Sequence, residues 1–390
     1  MKKLSFYRPA IAGFLAMLTM SLHSTGLGFL VAPVSDALGV GRGSLTLYMS
    51  LMTLANAFSS PIMGKLAGKK GVRPLLVFSG IWACLAFWGF SFSRQLWMFY
   101  LISILAGPGM SGCLMLSANV LLQRSYDAKT SAGLLGIVMA GSGVGGVLVS
   151  MAFPALLEAT NWQTGYRALG LCWLVLCALS LLIMGKETAP VVSDEPAAAV
   201  ASKSKASGGK RSPLLLLLIV EMVFLAAACA INQNLPSVLN GLKFDTAQQS
   251  VMMSVVTAVL AIGKIAQGVL YQKTGARVGG GITIAIFALG LVLLSTRETA
   301  MFALPFCAIG LGVYTTLMPI VTRRVVGAEQ FAATWGILQA IASVSIAVAI
   351  PLWGLVFDTC GSYAPVLIAH AVLLAISLAA NFLLTRPVKD

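Results

Sequence analysis

Twelve apolar runs, each long enough for one membrane crossing, follow one another along the chain and constrain its fold more than any other feature. A transmembrane helix needs about 20 apolar residues, and only helices or closed barrels satisfy their own backbone inside lipid. The alternation over about ten residues that is typical of barrel strands does not occur. The sequence therefore predicts an all-α polytopic membrane protein. Its spans 1 to 12 are expected at residues 9–33, 44–66, 74–93, 97–121, 131–157, 165–185, 213–236, 246–271, 277–296, 300–322, 331–356 and 363–384.

Composition and charge agree with a membrane protein. Of the 390 residues, 58% are hydrophobic and only 10% are charged, whereas soluble proteins carry roughly 25% charged residues. The net charge of +14 could indicate nucleic acid, but with the N-terminus inside, 20 of the 26 lysines and arginines fall on the cytoplasmic side. This is the positive-inside bias. We therefore expect a multi-pass protein of the cytoplasmic (inner) membrane, with both termini cytoplasmic and no nucleic-acid partner.

Residues 186–212 interrupt the apolar pattern with a run rich in alanine, serine, glycine, proline and lysine. Such a composition cannot build a core, so we predict a flexible cytoplasmic linker there. The linker would separate an N-terminal six-helix half, residues 1–185, from a C-terminal six-helix half, residues 213–390.

A short basic loop occurs once in each half. Residues 64–73 (GKLAGKKGVR) reappear 204 positions later as residues 268–277 (GVLYQKTGAR), and Gly136 in span 5 has a counterpart 200 positions later in Gly336 of span 11. Repeats at nearly equal offsets indicate duplication, the usual ground plan of a carrier that alternates around a central site. The loop residues that match are Gly64, Lys69, Gly71 and Arg73 in the first copy and Gly268, Lys273, Gly275 and Arg277 in the second.

The first copy resembles the signature loop of the major facilitator superfamily, G-x-L-(A/S)-D-(R/K)-x-G-x-(R/K). It departs at the acidic position, where this chain has Gly68 and, in the second copy, Gln272. The resemblance implies twelve helices in two six-helix halves, and it implies that the matching loop residues take part in gating. In that family the acidic residue helps latch the cytoplasmic ends of the helices. The glycines permit a tight turn and close helix approach.

Two stretches, residues 145–162 and 331–363, resemble the monocarboxylate and oxalate/formate porters of that superfamily. In that branch a cation in span 8, just before the second loop, binds the substrate carboxylate, and Lys264 occupies roughly that position. Lysine lacks the bidentate fork of arginine, and the other membrane cations of the branch have no obvious equivalent here. A monoanion is therefore favoured over a dicarboxylate.

Two ionisable residues lie deep in predicted spans, where charge is costly and a functional role is the default interpretation. Glu221 in span 7 and Lys264 in span 8 each lie about eight residues, or about 12 Å, from the cytoplasmic end of their helix. Equal depth predicts an ion pair. The pair would be a static link between helices, or Lys264 would bind an anionic substrate while Glu221 couples it to protons.

Other polar residues in the spans are candidates for the substrate site. An imidazole midway along span 1, at His23, would bind substrate or carry a proton. Each candidate is also compatible with a hydrogen bond between helices. The set is His23, Asn232, Asn234, Tyr314 and Gln339.

Further motifs indicate packing rather than chemistry. Residues 141–146 have the spacing G-x-G-x-x-G, but inside an apolar span it predicts close helix packing instead of dinucleotide binding. The seven cysteines show no CxxC or Cys/His spacing, so we predict no metal site, and no cofactor is expected. His370, in peripheral span 12, is interpreted as structural. Two histidines and one deep acid cannot assemble a catalytic centre, so no enzyme is expected.

The leading prediction is a monomeric secondary transporter of a small organic anion, a monocarboxylate, that works by proton symport or by exchange (antiport). Two alternatives stay open. One is efflux of an amphipathic drug-like compound, with Glu221 alone as the proton carrier. The other is a sensor or scaffold that keeps the fold without transporting, against which the short linker counts, since it cannot hold an effector domain.

Overall fold

The computed structural model describes residues 2–113, 115–185, 213–360 and 363–386. Across these residues the regular structure is helical, and none of them forms a strand. The predicted linker at 186–212 lies outside the described residues. The all-helical fold class predicted from the apolar runs is confirmed.

Six spans precede the linker, and two of them consist of several consecutive helical segments. Span 1 comprises Lys2–Ser21, a π-helical turn at Leu22–Gly26, and Leu27–Leu38. Span 4 comprises Leu96–Cys113 and Met115–Ser125. The others are Arg42–Lys70 (span 2), Arg73–Phe92 (span 3), Ala128–Ala159 (span 5) and Trp162–Met184 (span 6).

After the linker, several spans run on from one another through glycine breaks. Thr246–Leu293 holds spans 8 and 9 and breaks at Gly275, whereas Met318–Cys360 holds the end of span 10 and all of span 11 and breaks at Gly327. The remaining helices are Pro213–Cys229 and Ile231–Gly241 (span 7), Arg297–Leu311 and Val313–Thr316 (the earlier parts of span 10), and Ala364–Leu384 (span 12).

The span count follows from these breaks. Eight helical runs among the described residues are long and apolar enough to cross a membrane, and the runs Val251–Leu293 and Arg297–Ile350 each contain two spans. The eight runs therefore account for ten spans. The less apolar helix Arg42–Lys70 and the 17-residue apolar helix Pro213–Cys229 supply the other two.

Both copies of the repeated loop turn at the same glycine. Gly71 has φ 81° and ψ −173°, and its counterpart Gly275 has φ 75° and ψ 167°. Side chains are strained in this region of backbone space, so only glycine adopts it at little cost. The tight turn predicted from the loop sequence is confirmed in both copies.

The chain divides into two compact units. The first unit contains residues 1–126, 138–191 and 328–340, and the second contains residues 127–137, 192–327 and 341–390. The division of the chain into halves at 186–212 stays a prediction.

An aromatic core holds the outer part of the first unit. The Tyr166 hydroxyl donates to that of Tyr48 at 3.0 Å, and both rings pack on Phe90. Buried rings of this kind contribute both apolar area and specific edge-to-face geometry. Spans 2 and 4 and spans 3 and 6 are thereby joined as packed pairs.

The glycine motif of span 5 lies against span 1, also in the first unit. A Cβ on Gly141 would come within 2.8 Å of the Phe14 carbonyl oxygen, and one on Gly145 would collide with the Ser21 hydroxyl. The glycines thus let two helix backbones approach closely. The packing interpretation of this G-x-G-x-x-G spacing is confirmed.

In the second unit, spans 8 and 9 pack mainly against span 10, and span 12 packs against span 9 and the helix Pro213–Cys229. The Asn381 side chain in span 12 donates to the Ala276 carbonyl at 3.3 Å, next to the second loop. The packing of these helices places span 8, which carries Lys264, beside span 10.

Candidate functional site

Span 8 crosses the start of span 5 at a pair of glycines in the second unit. A Cβ on Gly268 would lie 2.8 Å from the backbone nitrogen of Gly136. A Cβ on Gly136 would in turn collide with the Lys264 carbonyl oxygen. Only glycine permits backbones to approach so closely. The backbone of Lys264 is therefore part of a tight helix crossing.

The side chain of Lys264 packs against span 10 at the point where that span is interrupted. It is half-buried, and its Cγ lies 3.0 Å from where a Cβ on Gly312 would be. Gly312 separates the helices Arg297–Leu311 and Val313–Thr316. Lys264 is thus bordered by a glycine on each side, one beside its backbone and one beside its aliphatic stem.

Two further side chains complete what we call the Lys264 cluster: Lys264, Cys229 and Tyr314. The Cys229 thiol at the end of the helix Pro213–Cys229 lies within electrostatic reach of both Lys264 and Tyr314. Tyr314 is half-buried. The cluster combines a cation, a thiol and a phenol, which suits one small anion with a polar or aromatic neighbour group.

Gln267 anchors this cluster one helical turn from Lys264. Its Nε2 donates to the Ile309 carbonyl oxygen at 2.5 Å, and its Oε1 accepts from the Thr316 hydroxyl at 2.5 Å. The side chain therefore joins span 8 to both sides of the break at Gly312. Sequence reasoning missed Gln267, Gly312 and Cys229. Gly312, Cys229 and the hydrogen-bond partners of Gln267 lie far from Lys264 in the sequence, and only the packing of the helices brings them together.

The predicted Glu221–Lys264 ion pair is wrong. Glu221 is fully buried, and neither carboxylate oxygen has a hydrogen-bond partner among the described residues. Its helix packs chiefly on span 12 and on Val313–Thr316. Lys264 is level with Cys229, eight residues beyond Glu221 and hence about 12 Å farther along the helix axis. The depth of Lys264 was counted from Gln272, but span 8 continues past it to the break at Gly275, so Lys264 lies deeper in its helix than that count indicated.

The other predicted substrate residues divide between the units. His23 and Gln339 lie in the first unit, whereas Asn232, Asn234 and Tyr314 lie in the second. His23 occupies the π-helical turn of span 1, and its Nδ1 is buried with no hydrogen-bond partner in the part of the chain that the structure describes. Turns of this type often occur at functional sites. Asn234 instead links two helices, because its amide donates to the Ile350 carbonyl at 3.2 Å.

The signature loops show what replaces the missing acid. Both Arg124 amino groups donate to carbonyls at the end of span 2, those of Ala67 and Gly68, each at 3.2 Å. Carbonyls at helix C-termini lack intrahelical donors, so this arginine caps the helix. In the second copy the Gln272 side chain contacts Gly133 at the start of span 5. At the position of the family's acidic residue, the first copy therefore has a backbone carbonyl, that of Gly68, bound by Arg124. The second copy has the Gln272 side chain in contact with Gly133.

Three of the four matching basic loop residues are exposed, and the fourth, Arg277, is half-buried. Lys69, Arg73 and Lys273 are exposed, and the Arg277 guanidinium lies 5.5 Å from the centre of the Phe382 ring. An exposed cation next to a span is the arrangement that the positive-inside bias requires of these loops.

His370 in span 12 makes structural contacts. Its ring packs 4.7 Å from that of Trp353, and its Nδ1 lies 2.7 Å from the Val366 carbonyl oxygen. These contacts support the structural interpretation of His370.

Twelve helical spans, a duplicated loop and a cation held inside a span define a membrane carrier as the class of this protein. The chain belongs to the Major Facilitator Superfamily, because the family's sequence model matches residues 10–346. It is therefore a transporter and not an enzyme.

The relatives with similar sequences include proteins named as monocarboxylate transporters and one named as a tetracycline resistance protein. Mouse (Mus musculus) monocarboxylate transporter 12 is 23% identical over 351 residues, which cover 80% of this chain and 72% of that protein. Rat (Rattus norvegicus) monocarboxylate transporter 13 is 26% identical over 332 residues, covering 82% and 74%. The class H tetracycline resistance protein of Pasteurella multocida is 27% identical over 296 residues, covering 72% of each.

Solved structures share the fold at low sequence identity. The fucose:proton symporter of E. coli has a TM-score of 0.73 at 12% identity, covering 98% of this chain and all of that one. The human organic anion transporter MFSD10 has a TM-score of 0.70 at 15% identity, covering 97% and 99%. These similarities confirm the twelve-helix major facilitator fold.

Proposed function

We propose that this chain transports a small monocarboxylate across the cytoplasmic membrane and that the Lys264 cluster binds the carboxylate. The observation that carries the proposal is the half-buried lysine inside span 8, bordered by Gly136 and Gly312 and adjoined by Cys229 and Tyr314. A cation inside a span is costly and marks a substrate or ion site. The names of the monocarboxylate transporter relatives support the same substrate class.

Glu221 serves, in this proposal, as a proton site separate from the anion site. It is fully buried, and its carboxyl meets no hydrogen-bond partner among the residues that the structure describes, so burial penalises the ionised form far more than the neutral one. Because Glu221 lies about 12 Å along its helix from Cys229, it cannot act as the direct counter-ion of Lys264. Coupling would then pass along the second half of the helix Pro213–Cys229, whose C-terminal residue, Cys229, belongs to the cluster.

The remaining parts of the proposal concern the whole carrier. It would work as a monomer by alternating access, with residues 1–185 and 213–390 as its two six-helix halves and both termini cytoplasmic. The polar candidates outside the cluster would line the substrate path, and the signature-loop residues would take part in gating. The close glycine contacts of Gly64 and Gly268 support that gating role, since such contacts require one specific helix arrangement. The lining candidates are His23, Asn232, Asn234 and Gln339.

Binding of the anion is tested by melting temperature, because a ligand that binds only the folded state stabilises it. Purified protein is screened with lactate, pyruvate, benzoate, neutral sugars and cationic dyes. The proposal expects a shift from at least one carboxylate, its loss in Lys264→Ala, and its retention in Lys129→Ala, which removes an exposed cation outside the signature loops. No carboxylate shift, or the same shift in Lys264→Ala, would contradict the anion site.

Proton coupling is tested in proteoliposomes with the carboxylate that gives the largest shift. Glu221→Gln should abolish accumulation driven by a proton gradient while leaving carboxylate exchange and the KM nearly unchanged. A KM raised about tenfold or more in Glu221→Gln would instead indicate direct contact with the anion site.

Efflux of drug-like compounds is the second candidate. The tetracycline resistance relative favours it, together with the buried Glu221 carboxyl, for which the described residues supply no hydrogen-bond partner. In that case cationic dyes or tetracycline, rather than carboxylates, would shift the melting temperature. Transport would survive Lys264→Ala and stop in Glu221→Gln.

A further inference from the structure

We infer that Gln267 and Gly312 are positioning residues that fix the direction of the Lys264 side chain and thereby set affinity for the carboxylate. The inference rests on the proposed function of Lys264. It adds to that site two residues that support Lys264: Gly312, at the break in span 10, and Gln267, on span 8. Neither residue belongs to the repeated loop or to the polar candidates in the sequence.

The first step concerns the space beside the lysine stem. A Cβ on Gly312 would lie 3.0 Å from Lys264 Cγ and 3.2 Å from Gln267 Oε1. Both distances are shorter than ordinary van der Waals contact, so any larger residue at this position would displace one of the two side chains. Gly312 therefore keeps the groove in which the stem of Lys264 lies.

The second step concerns the break itself. Gln267 is 2% exposed, and it bridges Ile309, before Gly312, and Thr316, after it. A side-chain amide that donates to the segment before the break and accepts from the segment after it fixes the relative position of the two segments. The Thr316 hydroxyl also lies 3.1 Å from the Gly312 carbonyl oxygen, which ties the bridge to the glycine.

The third step concerns the helix crossing that supports the bridge. A Cβ on Gly263 would lie 3.2 Å from Ile309 Cα, so spans 8 and 10 are close at the residue before Lys264. Lysine has a long flexible stem, and restricting it in advance reduces the entropy lost when an anion binds. Gln267 and Gly312 thus act on the anion through Lys264 and need not touch it.

Removal of the positioning contacts should raise the KM and spare turnover. In proteoliposomes that transport lactate, Gly312→Ala and Gln267→Leu should each raise the KM about tenfold with kcat changed by less than about twofold. Thr316→Val should raise the KM by a smaller factor, and the conservative Thr316→Ser should restore it. Gly170→Ala is the matched control, because a Cβ there lies 2.9 Å from Phe87 Cβ and crowds spans 3 and 6 to a similar degree without touching Lys264 or the Gln267 bridge.

A second readout does not depend on the substrate. In a variant whose other cysteines are serine, the rate at which N-ethylmaleimide alkylates Cys229 reports the charge beside its thiol. Lys264→Met gives the rate without that charge. Gly312→Ala and Gln267→Leu should move the rate toward the Lys264→Met value, whereas Gly170→Ala should leave it near that of the parent.

The outcomes separate this inference from the function on which it rests. If Lys264→Ala abolishes lactate binding but Gly312→Ala and Gln267→Leu keep the parental KM and alkylation rate, the positioning role is wrong and the anion site stands. If Lys264→Ala leaves carboxylate binding intact, the proposed function fails, and the alkylation rates alone decide whether the lysine is positioned as described. Equal effects in Gly170→Ala and Gly312→Ala would also overturn the inference, because general crowding would then explain both.

Discussion

The two units contain matching helix crossings that differ in the side chain placed beside them. In the first unit, a Cβ on Gly64 would lie 2.5 Å from the Ala332 carbonyl oxygen, and one on Gly336 would lie 2.5 Å from that of Ser60. In the second unit the same pattern joins Gly268 with Gly136, next to the Lys264 carbonyl. The residues correspond at the offsets of 204 and 200 found in the sequence.

The difference between the crossings lies in Ser60 and Lys264, which occupy matching positions. The Ser60 hydroxyl donates to the Asn56 carbonyl of its own helix at 2.8 Å. The Lys264 side chain instead extends along Gly312 toward the neighbouring helix. Duplication has therefore kept the backbone contact in both copies, while the charged group is present in one copy alone. The shared feature concerns packing, and the asymmetric one concerns chemistry.

Of the changes that test this comparison, exchanging the two side chains should have the largest effect, and the effect is on carboxylate transport. The double variant Ser60→Lys with Lys264→Ser should lose at least about a hundredfold in carboxylate kcat/KM, the order expected when a buried charge partner is removed. The moved lysine should not restore activity, because the first copy has Met63 at the position of Gln267, and a thioether cannot form that bridge. Uptake into proteoliposomes measures the effect, and recovered transport would show that the two positions are chemically equivalent.

Replacing a crossing glycine by a larger residue should lower the stability of the protein strongly, and by the same amount in both units. Gly336→Ala and Gly136→Ala each force a Cβ against a backbone carbonyl oxygen, and overpacking of this kind costs about 1–3 kcal/mol. Both variants should lower the melting temperature of the purified protein. Gly28→Ala is the control, because a Cβ there meets nothing within 4 Å among the described residues. A loss confined to one variant would show that the crossings are not equivalent.

A smaller loss of stability is expected from a mutation at the start of span 5, where the sequence differs from that at the start of span 11. Asp127 accepts from the Lys129 and Thr130 amides, each at 3.1 Å, and so caps span 5, whereas the counterpart 200 positions later is Gly327. Loss of such a cap costs about 1 kcal/mol. Asp127→Ala should therefore lower the melting temperature of the purified protein slightly, and Asp127→Asn should retain most of the stability at neutral pH.

The same cap gives a dependence on pH. Partial burial acts to raise the pKa of Asp127, but hydrogen bonds from the Thr130 side chain and the Thr130 and Lys129 amides outweigh it and leave the pKa below its usual value. A lowered pKa means that the stabilisation is present above the unfolded pKa of about 3.9 and is lost as pH falls through the folded value. The difference in melting temperature between the parent and Asp127→Ala should therefore shrink as the pH falls below about 4. A difference that does not change with pH would contradict a contribution from the charged carboxylate.

The sequence predicts helices and turns well in this chain because those features are local. Apolar runs indicated all twelve spans, and the repeated glycines indicated turns at Gly71 and Gly275, since glycine is needed at their φ values. The close packing of Gly141 and Gly145 followed from the same reasoning. In each case the determining property belongs to one segment and its neighbours in the chain.

The candidate site was predictable only in part, because it depends on how separate helices align. Lys264 stood out as a rare cation inside a span. Its pairing with Glu221 was inferred from depth along two separate helices, whereas the structure places Lys264 near Cys229. The bridge from Gln267 to Ile309 and Thr316 spans more than forty positions of sequence. No local pattern encodes such a contact.

The most direct test of the Lys264 site is the initial rate of carboxylate uptake into proteoliposomes under an inward proton gradient. The carboxylate is the one that gives the largest melting shift among lactate, pyruvate and benzoate, and the three proteins compared are the parent, Lys264→Ala and Ser60→Ala. Our account predicts uptake near the parental rate in Ser60→Ala and none above empty vesicles in Lys264→Ala. Equal uptake by both variants would contradict the assignment of the substrate site to Lys264.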